Sequence, residues 1–199
     1  MAALVDIANR ALVLLGEKRI TSLDDGTKGA ATCKSQIDLT RQAELRGHRW
    51  AFALKRAQLP ALTTVPLFGF VYAYQMPVDL LRLDQVGDFF IGASLTNYVA
   101  ASEAAYAIEG RQILTNLGAP LDIRYGADIV DATQFDALFV DAMSHRLAID
   151  VCYAMTNSNA KESSLGAKYQ AVVALAVSIN AVERPPETLP DDSWILSRL

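Results

Sequence analysis

The stretch Pro66-Leu67-Phe68-Gly69-Phe70-Val71-Tyr72-Ala73-Tyr74-Gln75-Met76-Pro77 decides how the chain is read. Phe68, Phe70, Tyr72 and Tyr74 fall on alternate residues, the period of a strand with one aromatic face. Pro60, Pro66 and Pro77 exclude a long helix here, because proline lacks the amide hydrogen and its ring clashes with the preceding turn. Leu81 and Leu83 continue the alternation. Ala104–Ile108 and Gln112–Thr115 read as two strands turned at Glu109-Gly110, and Leu121, Ile123 and Tyr125 alternate once more. Gly87–Ser102 reads as a loop. Short strands without intervening helices predict an antiparallel sheet or a small barrel.

Working outward, the period lengthens on both sides. Toward the N-terminus, Leu4, Ile7, Ala8, Ala11, Leu12 and Leu15 recur at helical spacing and Gly16 supplies a stop, so Ala3–Leu15 is expected to be an amphipathic helix. Ser22–Gly26 is a turn. Thr27–Arg49 reads as a second, more polar helix with Ala30, Cys33, Ile37 and Leu45 inward. Toward the C-terminus, Asp131 and Thr133 are both candidate N-caps, with Gln134 or Asp136 to close a capping box. Phe135–Met155 then carries two apolar stripes. One is Phe135, Leu138, Ala142, Ile149 and Cys152; the other is Val140, Met143, Leu147, Val151 and Ala154. A helix apolar on two sides is central in a bundle or buried between subunits. Asn157-Ser158-Asn159 breaks the chain, and Leu165, Tyr169, Val172, Ala176 and Ile179 mark a stripe on a last helix, Ala160–Val182. Pro185-Pro186 ends it. The fold class is therefore α+β: a bundle of about four helices, formed by residues 1–50 and 131–184, an inserted β-rich module over 51–130, and an extended C-terminal tail, 185–199.

Composition narrows the function. The chain has 199 residues, 52% hydrophobic, with a mean hydropathy of +0.19. A chain this apolar has a dense core or spends apolar surface on partners. The longest apolar runs, Leu147–Met155 and Ala171–Ile179, fall short of the roughly 20 residues of a membrane span, so none is expected. Asp6, Asn9 and Arg10 interrupt the N-terminal apolar residues, which predicts no signal peptide. Cys33 and Cys152 are too few for a disulfide framework and read as reduced, partly buried thiols. Net charge is −4, but Lys28–Arg56 holds seven basic residues against Asp38 and Glu44, a local +5 that leaves −9 elsewhere. Segregated charge suits subunits that meet face to back; a solvated helix face explains it equally well.

Chemistry is sparse. The chain lacks a P-loop, GxGxxG, GxSxG and HExxH. Asp141 and His145 are spaced to orient an imidazole beside Ser144, although such i, i+4 pairs are ordinarily local helix contacts. Cys33, His48, His145 and Cys152 show no metal-ligand spacing, so neither metal nor cofactor is expected. Two facing carboxylates would suffice for a glycan hydrolase, but nothing selects a pair. Phe70, Tyr72 and Tyr74 are better core than stacking platform.

The run Leu45-Arg46-Gly47-His48-Arg49-Trp50-Ala51-Phe52-Ala53-Leu54-Lys55-Arg56-Ala57-Gln58-Leu59 resembles the signature of the tail tubular protein A family, head-to-tail adaptors of short-tailed bacteriophages. Other pieces follow in the expected order. Ile7-Ala8-Asn9-Arg10-Ala11-Leu12, Leu15-Gly16 and Ile20-Thr21-Ser22-Leu23 open the chain. Tyr72–Arg82 is similar to the family's Tyr-x-x-Pro-x-Asp-x-x-Arg element, and Ile108–Asn116 and Ile123-Arg124-Tyr125 are similar to its later strands. Met76 stands in place of leucine, and Arg49 and Ala51 stand where the pattern has proline and a polar residue. The resemblance implies a non-enzymatic virion subunit of the phage neck, made in the host bacterial cytoplasm. It would form a ring of twelve copies under the portal protein, joined below to a tail or nozzle protein, with genomic DNA passing through the channel without sequence-specific contact and no membrane involved. Trp50, Phe52 and Tyr74 are expected as core anchors where bundle meets sheet. The fourteen residues after Pro185 reach about 45 Å when extended. Trp194, Ile195 and Leu196 are apolar enough to anchor the tail on the portal, with Asp191, Asp192 and Arg198 fixing register. The rival functions are a tail-associated glycan hydrolase and an unrelated cytosolic interaction domain.

Overall fold

The structure, a computed structural model, describes residues 3–87, 89–90 and 106–183. Its elements in chain order are α1 Leu4–Leu15, α2 Lys28–Gly47, β1 Leu54–Leu59, β2 Tyr72–Gln75, β3 Leu80–Val86, β4 Phe89–Phe90, β5 Tyr106–Glu109, β6 Gln112–Thr115, β7 Leu121–Ala127, α3 Ala137–Thr156 and α4 Asn159–Val182. Four helices with two small sheets make the fold α+β. The chain separates into two compact units. The helical unit is Met1–Leu54 with Gly126–Ala181, and the second unit is built on Lys55–Tyr125. The boundaries at 54/55 and 125/126 lie four or five residues inside those expected from sequence.

In the helical unit, α3 is central and packs against both α1 and α2. α1 buries Ile7, Ala8, Ala11, Leu12 and Leu15 and stops at Gly16, whose φ of 73° suits glycine. At its other end the Asp6 carboxylate accepts from the Ala3 amide. α2 is capped by the Thr27 hydroxyl, which accepts from the Ala30 amide. Ala30, Cys33, Ile37 and Leu45 face inward as expected, joined by three polar residues, Thr40, Arg41 and Glu44.

Several expectations are corrected. Asp131 caps only a 3₁₀ turn, Ala132–Gln134, and the N-cap of α3 is Asp136, whose carboxylate accepts from the Leu138 and Phe139 amides. The extended conformation of Phe135 separates turn from helix. The buried face of α3 also differs from the two stripes. Phe139, in neither stripe, is fully buried, while Ala154 is exposed and Leu138 and Ile149 are half-buried. On α4, Val173 is buried in place of Val172, and Ile179 is 43% exposed. α4 is also long and apolar enough to cross a membrane by length and composition, a test that counting unbroken apolar runs missed because it tolerates interspersed Ser, Gly and Gln. Tyr169, buried near its middle, nevertheless hydrogen-bonds Glu44 of α2, which fastens α4 to the bundle.

The second unit holds a four-stranded sheet, ordered β1-β7-β3-β4, and a three-stranded antiparallel sheet, β2-β6-β5. In the latter, Tyr74 pairs with Ile113 and Ile113 with Ile108, so the three lie in one row across the sheet. The predicted strand over Phe68–Tyr74 is present only from Tyr72. Gly69 adopts φ 84°, which breaks extended backbone, and Phe68 is 87% exposed. β1 was not anticipated, since Leu54–Leu59 alternates poorly. Within the expected Gly87–Ser102 loop, Phe89 and Phe90 pair with Val86 and Gln85 as β4; residues 88 and 91–105, Ala104 among them, and the C-terminal tail lie outside the described residues.

Candidate functional site

The helical unit fastens the chain at the two places where it leaves for, and returns from, the β strands. On the outbound side, Trp50 is fully buried and its indole donates to the Glu44 carbonyl at 3.1 Å. Its ring meets Phe139 nearly at right angles, centroids 5.1 Å apart, and Phe139 in turn contacts Phe52 at 5.0 Å and Phe135 at 4.9 Å. Asn180, in the last turn of α4, clasps the same segment. Its amide oxygen accepts from the Ala51 amide at 2.7 Å and its amide nitrogen donates to the Arg49 carbonyl. On the return side, Arg41 is buried and donates to the Asp128 carboxylate, to the Ile129 carbonyl at 2.9 Å and to Asp38 at 3.2 Å. Gln42 adds a 2.9 Å bond to Asp128.

A polar cluster is centred on buried Glu44, Thr40 and Tyr169. The Tyr169 hydroxyl donates to Glu44 at 2.7 Å, and His48 stands 3.8 Å from the other Glu44 oxygen. Arg146 lies over the Tyr169 ring, and both Arg146 and Thr40 engage Asp150. Burial pushes the Glu44 carboxyl above its ordinary pKa, outweighing the Tyr169 hydrogen bond and the nearby His48 and Arg146 charges. Burial, followed by the Glu44 hydrogen bond, raises the Tyr169 phenol. This cluster ties α2, α3 and α4 together with charge-assisted bonds.

The expected anchors are placed as follows. Trp50 is in the core, Phe52 is half-buried, and Tyr74 is buried in the β unit, where its hydroxyl donates to the Leu117 carbonyl at 2.8 Å. Asp191, Asp192, Trp194, Ile195, Leu196 and Arg198 lie outside the described residues. Sequence reading missed Arg41, Asp128, Asn180 and Phe139. The detectable signal was the placement of Arg41 and Glu44 in phase with the apolar residues of α2.

Ser144 and His145 are each engaged within α3. The Ser144 hydroxyl donates to the Val140 carbonyl at 2.6 Å, and His145 Nδ1 lies 3.1 Å from Asp141, which also pairs with Arg10 at 2.6 Å. Cys33 and Cys152 are free and buried, and burial raises the Cys33 thiol. Among the described residues no three potential metal ligands gather.

The β unit has a cleft of about 730 Å³. Alternation along β7 builds one wall: Leu121, Ile123 and Tyr125 are buried, while Asp122 and Arg124 turn outward. Arg56, Gln58 and Gln85 complete its polar lining, and Asp122 is the one carboxylate among these described lining residues, so they offer no facing pair for glycoside hydrolysis. Nearby in sequence, Asp79 joins Lys55 at 2.8 Å and the Tyr125 hydroxyl at 3.1 Å.

The β unit exposes apolar side chains heavily. Leu67 is 98% exposed and Val78 is 96% exposed, beside Phe68, Val65 and Val71. On α4, Leu175, Ile179 and Val182 are 57%, 43% and 83% exposed. The chain matches no protein-family model, and no curated protein matches it.

Proposed function

We propose that this chain is a structural adaptor subunit of a phage head-to-tail connector. Copies form a ring that joins the portal protein to the tail and leaves a channel for DNA. The observation that carries the reading is apolar surface left in water on both units: Leu67, Phe68 and Val78 on one, Leu175, Ile179 and Val182 on α4. Singly exposed apolar residues are ordinary, but grouped ones mark contact surfaces. The resemblance of Leu45–Leu59 and Tyr72–Arg82 to the adaptor family gives those contacts their occupants, sister subunits and the portal. Buried Arg41 and Glu44, bonded to Asp128 and Tyr169, brace the bundle. That division of labour suits a part that must hold its shape while being gripped.

In this reading, residues 185–199 dock on the portal through Trp194, Ile195 and Leu196. The test is mass photometry of the protein alone, mixed with portal protein, and after deletion of 192–199. The expected result is a portal particle heavier by several copies, lost on truncation while the melting temperature stays unchanged. No added mass at micromolar concentrations, or glycan hydrolysis that vanishes with one carboxylate, overturns the reading.

A further inference from the structure

We propose that the loop around Leu67 and Phe68 of one copy seats on the outer face of α4 of the next copy, forming the head-to-tail contact that builds the ring. This rests on the adaptor reading and names the surfaces it uses.

The loop is an apolar knob. Leu67 and Phe68 are 98% and 87% exposed, and Gly69, at φ 84°, turns the backbone sharply behind them. No residue from 57 to 78 carries a charge, so the loop brings no charge of its own to a contact. A partner surface must therefore be apolar and uncharged, because a charge desolvated under the knob would go unpaired.

The chain itself supplies such a surface. Residues 169–182 of α4 are also free of charge. Leu175, Ile179 and Val182 stand on its exposed side at helical spacing, with the small residues Ala171, Ala174 and Ser178 between and beside them. The small residues beside the large ones leave room for an aromatic ring to lie against the helix. Knob and helix face are different patches of one chain, so their pairing is heterologous, and heterologous contacts propagate or close into rings. One loop against one helix buries less than a stable dimer interface, so a single contact is weak and rings form through closure or on the portal.

The test uses the full-length chain. Copies carrying Phe68→Cys are mixed with copies carrying Leu175→Cys at about 200 μM, the concentration a weak contact requires, under mild oxidation; the native Cys33 and Cys152 are buried. The expected product is a covalent dimer with one copy of each variant, exceeding twofold the sum of the two same-variant dimers. A chain bearing both substitutions should give a ladder of trimers and larger species. Adding Leu67→Asp should remove the mixed product without shifting the thermal melt. Same-variant dimers in excess, or no cross-link, overturn the proposal. So does Leu175→Cys that cross-links only after residues 184–199 are deleted, since the chain's own C-terminus then covers the face. Absent cross-links with intact rings on the portal reject these surfaces alone; absent rings reject the adaptor reading.

Discussion

The two units pack their apolar residues differently. In the helical unit the large side chains are inside: Trp50, Phe139, Ile7, Leu12, Met143 and Leu147 are all fully buried around α3. In the β unit the core is thin, with Tyr74, Ile113, Leu121 and Val86 at its centre, while Leu67, Phe68, Val65 and Val78 stand in water. High hydropathy therefore has two origins, the dense core around α3 and apolar surface on both units, Leu39 and Leu175 on one and Leu67 and Val78 on the other. Composition alone merges them. The difference also separates how each unit should fail: the helical unit by losing packing or a buried bond, the β unit by losing partners.

Trp50→Ala tests the packed side and carries the largest expected effect. It empties the space between α2 and α3 and removes a hydrogen bond, which should cost about 3–5 kcal/mol. Helical circular dichroism during thermal unfolding reads this directly; a loss under 1 kcal/mol would mean that the Phe52, Phe135 and Phe139 rings close the gap by themselves.

Arg41→Ala comes next. It strands Asp128 beside a buried segment and should cost about 3 kcal/mol. The pairing of Arg41 with Asp128 is isolated by a double-mutant cycle with Asp128→Asn, in which the two losses should not add. Full additivity would show that the two groups act separately.

Tyr74→Phe is the matching test in the β unit. The ring stays buried and only the bond to the Leu117 carbonyl goes, for about 1 kcal/mol. Tyrosine fluorescence in a urea titration resolves that shift, and a neutral outcome would mean that water replaces the hydroxyl.

Titration sets one carboxylate of each unit apart by sign, Glu44 in the helical unit and Asp79 in the β unit. Burial raises Glu44, so the folded helical unit holds that proton more tightly than the unfolded chain does. Its contribution is full below the ordinary glutamate pKa and is lost as pH rises through the raised value. Asp79 runs the other way. Burial pulls it up, but hydrogen bonds from Lys55 and Tyr125 and the Lys55 charge bring it below its ordinary value. Its contribution is present above the ordinary aspartate pKa and is lost as pH falls through the lowered one. Tyr125 is pushed up to about 12, first by burial and then by Asp79, and supports the same unit until alkaline pH removes its proton. Glu44→Gln should therefore raise the melt near neutral pH and lose that advantage in acid, while Asp79→Asn should flatten only the acid edge of the β-unit signal. Identical pH profiles for both variants would contradict the opposed signs.

The smallest expected effect is on stability at the loop. Phe68→Ser should change unfolding by less than about 0.5 kcal/mol, because so exposed a ring packs on little. A larger loss would show that the loop is part of the β core and remove the contrast between the units.

The sequence by itself determined where helical period gives way to alternation and where it returns, because those periods follow from backbone geometry and need no neighbours. It also determined the stop at Gly16 and the buried face of α1. Tertiary structure decided what period cannot express. It placed Phe139 rather than Leu138 against Trp50 in the first turn of α3, and Asp136 rather than Asp131 at its cap, since extended Phe135 delays the start of the helix. It placed the aromatic residues before Tyr72 outside the sheet, because Gly69 turns the chain before the strand begins. It brought Arg41 to Asp128 and Asn180 to Ala51 across separations of 87 and 129 residues. Such pairs leave no local pattern: each partner is an ordinary polar residue until the fold buries it beside the other.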